Sequence, residues 1–416
     1  MTNSPTATAA PAVAAPAVTG PVRERALALP SDELPAYVYD LGALRENAEA
    51  VREALPERVE LYYAAKANPE TEILTALSPY VDGFEVSSGG ELAHVAKSVP
   101  GRPLAFGGPG KTPAETAAAL AAGVARVHVE SVHELRMLTA LSAERPTQAP
   151  PVDVLLRFNL PLSEGVLRTS ALSMGGRPTP FGLDPSEADD VMRYLAGGSC
   201  PRLRVRGVHA HLASGLGAGS SLAVAESVVA WSVRLFERHG VPLHEVNVGG
   251  GMTVDYADPA DRFDWAGYGA GLSRLTAAHP GLRLRIEPGR AMTAYCGWYA
   301  TEVLDVKRSH GEDFAVVRGG THHLRTPATK GHDQPCAVLP VAGWPHPWPR
   351  PAARGDRVTV AGQLCTPKDV LARGVPAPGL RAGDRVVFAL AGAYAWNISH
   401  HDFLMHPRPG FHFLGG

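Results

Sequence analysis

The sequence predicts an α/β TIM barrel followed by a C-terminal all-β domain. Between Leu41 and Glu287, eight short apolar runs alternate with helical stretches, which matches the strand count and length of a (β/α)8 barrel. Residues with chemical function stand at the ends of six of these runs. After Arg290 the alternation stops, and short strands follow one another between Pro and Gly turns. A doubly wound sheet, the competing α/β plan, would normally split into two halves with fewer strands each.

The predicted barrel strands are rich in Val, Leu and aromatic residues, as strands buried on both faces are. They are Leu61–Ala65, Gly83–Val86, Pro103–Phe106, Arg126–Val129, Asp153–Phe158, Val205–Ala210, Glu245–Val248 and Arg283–Ile286. The predicted helices include Leu41–Leu55, Gly90–Val99, Pro113–Ala122, Ser131–Ala143, Pro185–Leu195 and Leu222–His239. Ser131, three residues before Glu134, predicts a capping box at the start of one helix.

The same pattern divides the chain into four segments. Residues 1–22 are rich in Ala, Pro, Thr and Val and lack the basic start of a signal peptide, which predicts a disordered tail. Residues 23–41 contain an early strand, Ala36–Tyr39, and are expected to join the β domain. Residues 42–292 are predicted to form the barrel and residues 293–416 the β domain. The predicted strands of the β domain are Trp298–Val306, Phe314–Arg318, Ala337–Val341, Arg357–Ala361 and Arg385–Ala391.

The composition is that of a soluble globular enzyme. Charged residues make up 19% of the 416, and the net charge of −2 leaves no basic footprint for nucleic acid. No apolar run approaches the roughly 20 residues of a membrane span. The four cysteines, Cys200, Cys296, Cys336 and Cys365, have neither C-x-x-C nor zinc-like spacing. Free thiols in a reducing cytoplasm are therefore the simplest interpretation.

The C-terminal ends of the strands in a parallel barrel form one rim, where the active sites of such barrels lie. The residues that the sequence places there are Lys66, Glu85, Arg157, His209, His211, Gly249–Gly251 and Glu287. Lysine is rarely buried, and an amine in a drier place has a lowered pKa and becomes a Schiff-base nucleophile. Lys66 is the candidate for that role, and a surface lysine at a strand end is the alternative.

Three neighbouring turns at this rim suggest a phosphate site. Gly249–Gly251 carry no side chains, so their backbone N–H groups could approach an anion closely. A simple tight turn is the alternative. Ser214 offers a hydroxyl after the sixth strand, and Gly289 and Arg290 offer an amide and a cation after the eighth. No Walker A sequence is present, which disfavours a nucleoside triphosphate.

Three more residues supply what pyridoxal phosphate (PLP) needs besides a phosphate cradle. Lys66 supplies an amine, and His211 could stack on the pyridine ring, although a satisfied barrel histidine is the alternative. Glu287 could pair with the pyridine nitrogen and keep it protonated, which strengthens the electron sink for loss of CO₂. Helix capping or a salt bridge is the alternative for Glu287.

With these residues in place, the chain resembles the fold-type III PLP-dependent decarboxylases, the ornithine/diaminopimelate decarboxylase group. That group shares the barrel-plus-β-domain plan of alanine racemase. The matching motifs run in family order along most of the chain. They are Tyr63–Asn68, Glu85–Leu92, His209–Ser214, Gly249–Gly251, Glu287–Arg290, Cys365–Thr366 and Gly392–Tyr394.

The resemblance implies a role for each matching residue. Lys66 should carry PLP, His211 should stack on its ring, and Glu287 should face the pyridine nitrogen. Glu85 and Arg157 should lie near the cofactor. The phosphate should be held by Ser214, Gly249, Gly250, Gly251, Gly289, Arg290 and Tyr394. Cys365 matches a cysteine that reaches into the partner subunit's site and helps protonate the reacting carbon, which implies a homodimer with two shared sites.

Two positions depart from the family pattern. The diaminopimelate and ornithine enzymes carry an acidic residue directly after the cysteine, where it binds the distal end of the substrate. Here that position is Thr366, which supplies no charge, and Asp369 close by could partly substitute. Ala213 replaces the usual Gly before the phosphate-binding Ser214, a change of one methyl group.

Three further segments resemble the decarboxylases of carboxylate siderophore pathways, which act on amino-acid conjugates of citrate or similar acids, including citryl-diaminopropionate. These segments are Gly175–Gly182, Gly319–His323 and Ser399–Pro407. Four residues in or near them are hydrogen-bond donors suited to a polyanionic substrate arm: Arg177, His322, His323 and Arg325. Interface contact is one alternative for His322 and His323, and a metal site is the third option. No metal is expected, because PLP decarboxylation draws on the cofactor.

The sequence therefore predicts a cytoplasmic, homodimeric PLP-dependent carboxy-lyase with a small amino-acid-derived substrate and no nucleic-acid or membrane partner. A diaminopimelate or other basic amino-acid decarboxylase is the nearest rival, and Thr366 counts against it. Alanine racemase places Arg at the pyridine nitrogen, where this chain has Glu287. A non-enzymatic binding protein is disfavoured because Lys66, His211, Glu287 and Cys365 occur together.

Overall fold

The computed structural model describes residues 17–162, 165 and 172–416. These residues form two compact units. The first comprises Leu41–Val254 and Arg262–Ala294. The second comprises the described residues up to Asp40, the segment Asp255–Asp261 and the stretch Tyr295–Gly415. Residues 255–261, predicted to lie in the barrel, therefore group with the β unit.

The first unit contains a closed barrel of eight parallel strands, which confirms the TIM-barrel prediction. Neighbours in the barrel follow chain order, and the last strand closes the ring by pairing Leu284 with Val59 of the first. The strands are Val59–Ala64, Gly83–Val86, Leu104–Phe106, Arg126–Val129, Val152–Arg157, Leu203–His209, Glu245–Asn247 and Arg283–Ile286. All eight predicted strands are present, because buried Val- and Leu-rich runs between helices have few alternatives.

The described helices of this unit are Leu41–Ala54, Thr71–Leu77, Gly89–Ser98, Pro113–Ala121, Val132–Ala143, Ala188–Ala196, Ala218–Arg238, Trp265–Ala278 and the short Arg290–Thr293. Ser131 caps its helix as predicted, since its hydroxyl accepts the N–H of Glu134. The reciprocal half of the predicted capping box is wrong. The Glu134 carboxylate instead accepts the N–H of Glu130 at 2.8 Å and pairs with Lys111.

The second unit is built on one eight-stranded sheet, which confirms its all-β character. Its strands are Ala36–Asp40, Gly297–Ser309, Glu312–Val317, Cys336–Leu339, Arg357–Ala361, Val370–Pro376, Arg385–Phe388 and Gly410–Leu414. Ala36–Asp40 pairs antiparallel with Gly297–Ser309 and parallel with Gly410–Leu414. Aromatic rings stack across the parallel pair, with centroids 5.6 Å apart for Tyr37 and Phe411.

The predicted tail of residues 1–22 is too long at its C-terminal end. Residues 1–16 lie outside the described residues, but Gly20–Ala28 forms a helix with Pro21 in its first turn. Proline is common in the first turn of a helix, because the N–H group that it lacks would have no partner within the helix. Val22 and Ala26, one turn apart, are fully buried. Among the described residues, no helix combines the length and apolar character needed to cross a bilayer.

Candidate active site

The barrel unit places the predicted residues at the C-terminal ends of its strands. Lys66 lies in a 3-10 turn, Ala65–Ala67, that directly follows the first strand. Glu85 lies in the second strand, Arg157 ends the fifth and His209 ends the sixth. His211, Ser214, the glycine triplet and Glu287 follow the ends of the sixth, seventh and eighth strands. The parallel direction of the barrel strands brings these ends to one rim.

Lys66 and Glu85 form the central ion pair of this rim. The Lys66 Nζ lies 2.5 Å from Oε2 of Glu85, and the hydroxyl of Ser87 donates to Oε1 at 2.7 Å. Burial alone would raise the pKa of Glu85, but the charge and hydrogen bond of Lys66 outweigh it and lower the pKa. The Lys66 side chain is 43% exposed, so its amine is accessible to solvent as well as paired with Glu85. The dry surroundings that the sequence suggested for this amine are therefore not found.

Arg157 is held by Glu130, which the sequence analysis missed. The guanidinium donates to Oε1 of Glu130 at 2.8 Å, and both side chains are buried. Glu130 also accepts the backbone N–H groups of Gly108 at 3.1 Å and Gly182 at 3.2 Å. Glu130 directly follows the fourth strand, so the strand-end criterion that selected the other rim residues could have found it.

His211 is neutral and its ring is fixed by the glycine triplet. Burial and the positive charges of Arg157 and Lys66 lower the pKa of His211 to about 3. Its unprotonated Nδ1 accepts the N–H of Gly250 at 3.1 Å. A Cβ on Gly250 would lie 2.3 Å from the carbonyl oxygen of Glu287. A Cβ on Gly251, where φ is +95°, would lie 2.1 Å from the carbonyl oxygen of Ala213.

Glu287 is a buried carboxyl group oriented by Asn247, a second residue that the sequence analysis missed. Asn247 Nδ2 donates to Oε1 of Glu287 at 2.6 Å, and its Oδ1 accepts the N–H of Gly249 at 2.9 Å. Burial and the negative charge of Glu85 raise the pKa of Glu287 to about 7. The predicted strand Glu245–Val248 placed Asn247 in its interior, whereas the strand ends at Asn247 and the strand-end criterion therefore applies to it.

The remaining barrel-unit residues flank these groups. Ser214 lies in a two-residue strand whose partner is Leu172–Ser173. Gly289 is the N-cap of the short helix that begins at Arg290. The side chain of Arg177 is exposed, and its carbonyl oxygen accepts a hydrogen bond from Asn159. These positions leave the predicted phosphate and substrate roles open as predictions.

In the β unit, His322 and His323 are interior residues. His323 is 1% exposed, donates from Nε2 to the carbonyl of Pro407 at 3.0 Å and accepts from the Tyr299 hydroxyl at 3.0 Å. His322 is fully buried, and its ring nitrogens have no hydrogen-bond partner among the described residues. Burial and the charge of His406 lower the pKa of His322 to about 4. Their burial favours packing within the unit for both histidines, and the substrate contact expected of them stays a prediction.

Asp369 joins two loops of the β unit. Its Oδ1 accepts the N–H of Thr321 at 2.7 Å, and its Oδ2 accepts the N–H of Leu364 at 2.8 Å. The residue is 2% exposed, so these bonds favour a structural role over the predicted contact with substrate. Cys365 follows Leu364 directly and is exposed, and Thr366 beside it is half-buried.

Two more predicted residues lie in the β unit. Arg325 is exposed and reaches the carbonyl oxygen of Ile398. Tyr394 is half-buried with a positive φ of 49°, and its carbonyl oxygen accepts from the Thr326 hydroxyl at 2.9 Å. The roles predicted for these two residues, toward the substrate and the phosphate respectively, stay predictions.

Among the described residues, one cluster has the composition of a metal site: His128, His209 and Glu287, whose ligand atoms lie within 4.8 Å of one another. All three residues are buried. Cys200, Cys296, Cys336 and Cys365 are free thiols. The expectation that the protein uses no metal stays a prediction.

Comparisons with known proteins converge on one family. The model of the family described as pyridoxal-dependent decarboxylase, pyridoxal binding domain, matches residues 41–294. The 2-[(L-alanin-3-ylcarbamoyl)methyl]-2-hydroxybutanedioate decarboxylase of Staphylococcus aureus is 40% identical, over 91% of this chain and 93% of that protein. A diaminopimelate decarboxylase of Actinosynnema pretiosum is 34% identical, over 86% of this chain and 79% of that protein. The solved diaminopimelate decarboxylase of M. jannaschii with L-lysine has a TM-score of 0.79 at 22% identity, covering 92% of this chain and 88% of that chain.

Proposed function

This chain belongs to the pyridoxal-dependent decarboxylases, and from that premise we propose that it decarboxylates an amino acid joined to citrate or a similar acid. The main support for this proposal is the 40% identity with the staphylococcal enzyme, which extends over nine tenths of both chains. The substrate in that enzyme's name is an alanine unit linked through carbon 3, by an amide, to a citrate skeleton. That compound is citryl-diaminopropionate, an intermediate of the kind used in carboxylate siderophore biosynthesis.

The residues of the barrel rim are chemically suited to PLP. A half-exposed lysine amine, a neutral imidazole face and a buried carboxyl group lie on one rim. The glycine turn beside them has no room for side chains. The buried carboxyl of Glu287 would be relieved by a cationic partner such as a protonated pyridine nitrogen. When bound, PLP supplies the electron sink that allows CO₂ to leave the α-carbon.

We assign the roles of the chain's own residues accordingly. Lys66 holds the cofactor through its amine, and Glu85, 2.5 Å away, holds or accepts a proton at that nitrogen. His211, neutral and fixed by Gly250, presents its ring face without adding a charge. Glu287 faces the pyridine nitrogen. The phosphate is assigned to Ser214, Gly249, Gly250, Gly251, Gly289, Arg290 and Tyr394.

The substrate arm is assigned to donors outside the cofactor cradle. Thr366 brings no charge to the position after Cys365, so it does not attract the distal ammonium of a basic amino acid. Arg177 and Arg325 are exposed cations, and guanidinium groups bind carboxylates in bidentate fashion. The citrate skeleton in the staphylococcal enzyme's substrate is a butanedioate, and its two carboxylates match these two donors. Diaminopimelate decarboxylation is the second candidate, supported by the 34% identical relative.

The experiment for substrate choice is a CO₂-release assay on the PLP-loaded protein. The substrates compared are citryl-diaminopropionate, diaminopimelate, ornithine, lysine and arginine, with Lys66→Ala as the inactive control. Preference for citryl-diaminopropionate is expected. Comparable or higher kcat/KM on diaminopimelate would assign the second candidate instead.

The substitution Thr366→Glu should lower kcat/KM for citryl-diaminopropionate, because it places a negative charge near the carboxylates of the substrate arm.

We also propose a cytoplasmic homodimer in which Cys365 of one chain serves the site built on Lys66 of the other. Four free thiols suit a reducing compartment, and the exposed thiol of Cys365 is available to a partner. Mixing Lys66→Ala with Cys365→Ala chains tests the sharing. Each variant alone should be nearly inactive, whereas the mixed dimer regains one complete site. No recovery after verified subunit exchange would contradict shared sites.

A further inference from the structure

Two buried histidines lie beside Glu287, and the roles assigned above do not use them. His128 lies in the fourth barrel strand and His209 ends the sixth, and their ring centroids are 4.2 Å apart. The Nε2 of His128 is 3.8 Å from Oε1 of Glu287, and the Nε2 of His209 is 3.6 Å from Oε2. Alternate strands of a barrel fill common interior layers. The fourth and sixth strands can therefore meet the residue that follows the eighth.

The histidine pair is unusual because its polar atoms are unsatisfied. All four ring nitrogens are buried without a hydrogen-bond partner among the described residues. Buried polar groups nearly always have partners, so four together require a reason. Burial, followed by nearby positive charges, lowers the pKa of His128 well below its ordinary value. Burial and the neighbouring His128 do the same for His209, so each ring is neutral and carries one N–H.

We propose that His128 and His209 are positioning residues that donate their Nε2–H groups to the two carboxylate oxygens of Glu287. A closure of about 1 Å or less brings each nitrogen to hydrogen-bond distance. Neutral donors stabilise the carboxylate without cancelling its charge, so the charge stays available to a protonated pyridine nitrogen. A cationic partner in the same place would compete with that nitrogen. The inference rests on the proposed pairing of Glu287 with the cofactor.

The test replaces the donors and measures cofactor binding directly. His128→Leu/His209→Leu removes both N–H groups, whereas His128→Gln/His209→Gln keeps an amide N–H near each original Nε2. The dissociation constant of PLP for cofactor-free protein and the pH dependence of the bound cofactor's absorbance are the readouts. The Leu pair should weaken binding at least tenfold, and the Gln pair should recover most of it. His133→Leu, an exposed helix position, is the control and should bind PLP like the parent protein.

Thermal unfolding of the cofactor-free variants separates positioning from packing. Before the closure on Glu287, the ring nitrogens lie beyond hydrogen-bond distance of any described partner, so the Leu pair should not lower the unfolding temperature of the cofactor-free protein. Equal loss of stability and of cofactor affinity in the Leu and Gln pairs would make the histidines packing residues and overturn the proposal. Stoichiometric Zn²⁺ binding by the PLP-loaded protein, lost in the single variant His209→Gln, would identify a metal site and would also overturn it.

Glu287→Gln distinguishes failure of this inference from failure of the cofactor assignment. Glu287→Gln should weaken PLP binding, and the Leu pair should add no further loss in that background, because the histidines act through Glu287. If Glu287→Gln binds PLP as the parent protein does, the assignment of Glu287 and the inference fail together. If Glu287→Gln weakens binding but the Leu pair does not, only the histidine inference fails.

Discussion

At the residue scale, the barrel rim holds two carboxylates whose surroundings separate their pKa values. Glu85 is paired with Lys66 at 2.5 Å, which lowers its pKa despite burial. Glu287 lies beside Asn247 and two neutral histidines, His128 and His209. Burial and the negative charge of Glu85 raise its pKa to about 7. Such divergent pairs identify acid and base roles at functional sites. Glu85 is therefore ionised beside the Lys66 amine, whereas Glu287 is a carboxyl group whose ionised form a cationic partner would stabilise.

Glu287 gives the cofactor-free protein a specific pH dependence of stability. Its folded-state pKa of about 7 lies above the ordinary value of 4.5, so between these pH values the folded state holds a proton that the unfolded chain has released. The free energy of unfolding should therefore fall as pH rises through this window. Denaturant unfolding of parent protein and Glu287→Gln across pH 4.5–7 measures it. The stability of Glu287→Gln relative to the parent should increase with pH, and a constant difference would refute the shift.

At the element scale, the conformation of the turn after the seventh strand requires three consecutive residues without side chains. Gly249 and Gly251 have φ values of +71° and +95°, which side chains rarely adopt. Gly250 donates to His211 and sits against the carbonyl oxygen of Glu287. The turn therefore connects His211 to Glu287, the two residues proposed to contact the ring of PLP.

Gly250→Ala should disable the site without unfolding the barrel. The new Cβ would lie 2.3 Å from the carbonyl oxygen of Glu287, so backbone has to move. We expect a loss of about 1–3 kcal/mol in stability and at least tenfold weaker PLP binding, measured by denaturant unfolding and absorbance titration. Gly219→Ala is the matched control, since its Cβ would meet nothing within 4 Å. Equal effects of the two substitutions would refute the packing argument.

The two loops joined by Asp369 form a second element, held together by one buried carboxylate. The carboxylate accepts N–H groups from Thr321 and Leu364, next to His322 and Cys365. A Cβ on Gly362 would lie 2.2 Å from Oδ2 of Asp369, so the loop is shaped around this carboxylate.

Asp369→Ala should leave two buried N–H groups unpaired and lower the free energy of unfolding by about 2–4 kcal/mol. The thiol of Cys365 should also react faster with a thiol reagent below the unfolding transition, because its loop is no longer held. Asp356→Ala, at an exposed position, is the control and should change neither quantity. Unchanged thiol reactivity in folded Asp369→Ala would show that the loop is held by other contacts.

At the scale of the whole molecule, the sequence predicts what depends on local periodicity and strand ends. All eight barrel strands and the rim positions of Lys66, Glu85 and Glu287 follow from that pattern. Asn247 ends the seventh strand and His128 lies one residue before the end of the fourth, so the strand-end pattern reaches both positions, but their contacts with Glu287 form only when the barrel closes. Gly410–Leu414 was also missed, since its partner Ala36–Asp40 lies at the opposite end of the chain. Contacts between distant segments are therefore what the structure adds.

We infer that this decarboxylase removes the α-carboxylate of a citrate-linked amino acid. The most direct measurement uses citryl-diaminopropionate labelled with ¹³C only in the α-carboxylate of its diaminopropionate unit. The released CO₂ should carry the label, the product should keep every citrate carboxylate, and release should stop in Lys66→Ala. Unlabelled CO₂, or no turnover of this compound beside rapid turnover of diaminopimelate, would contradict the claim.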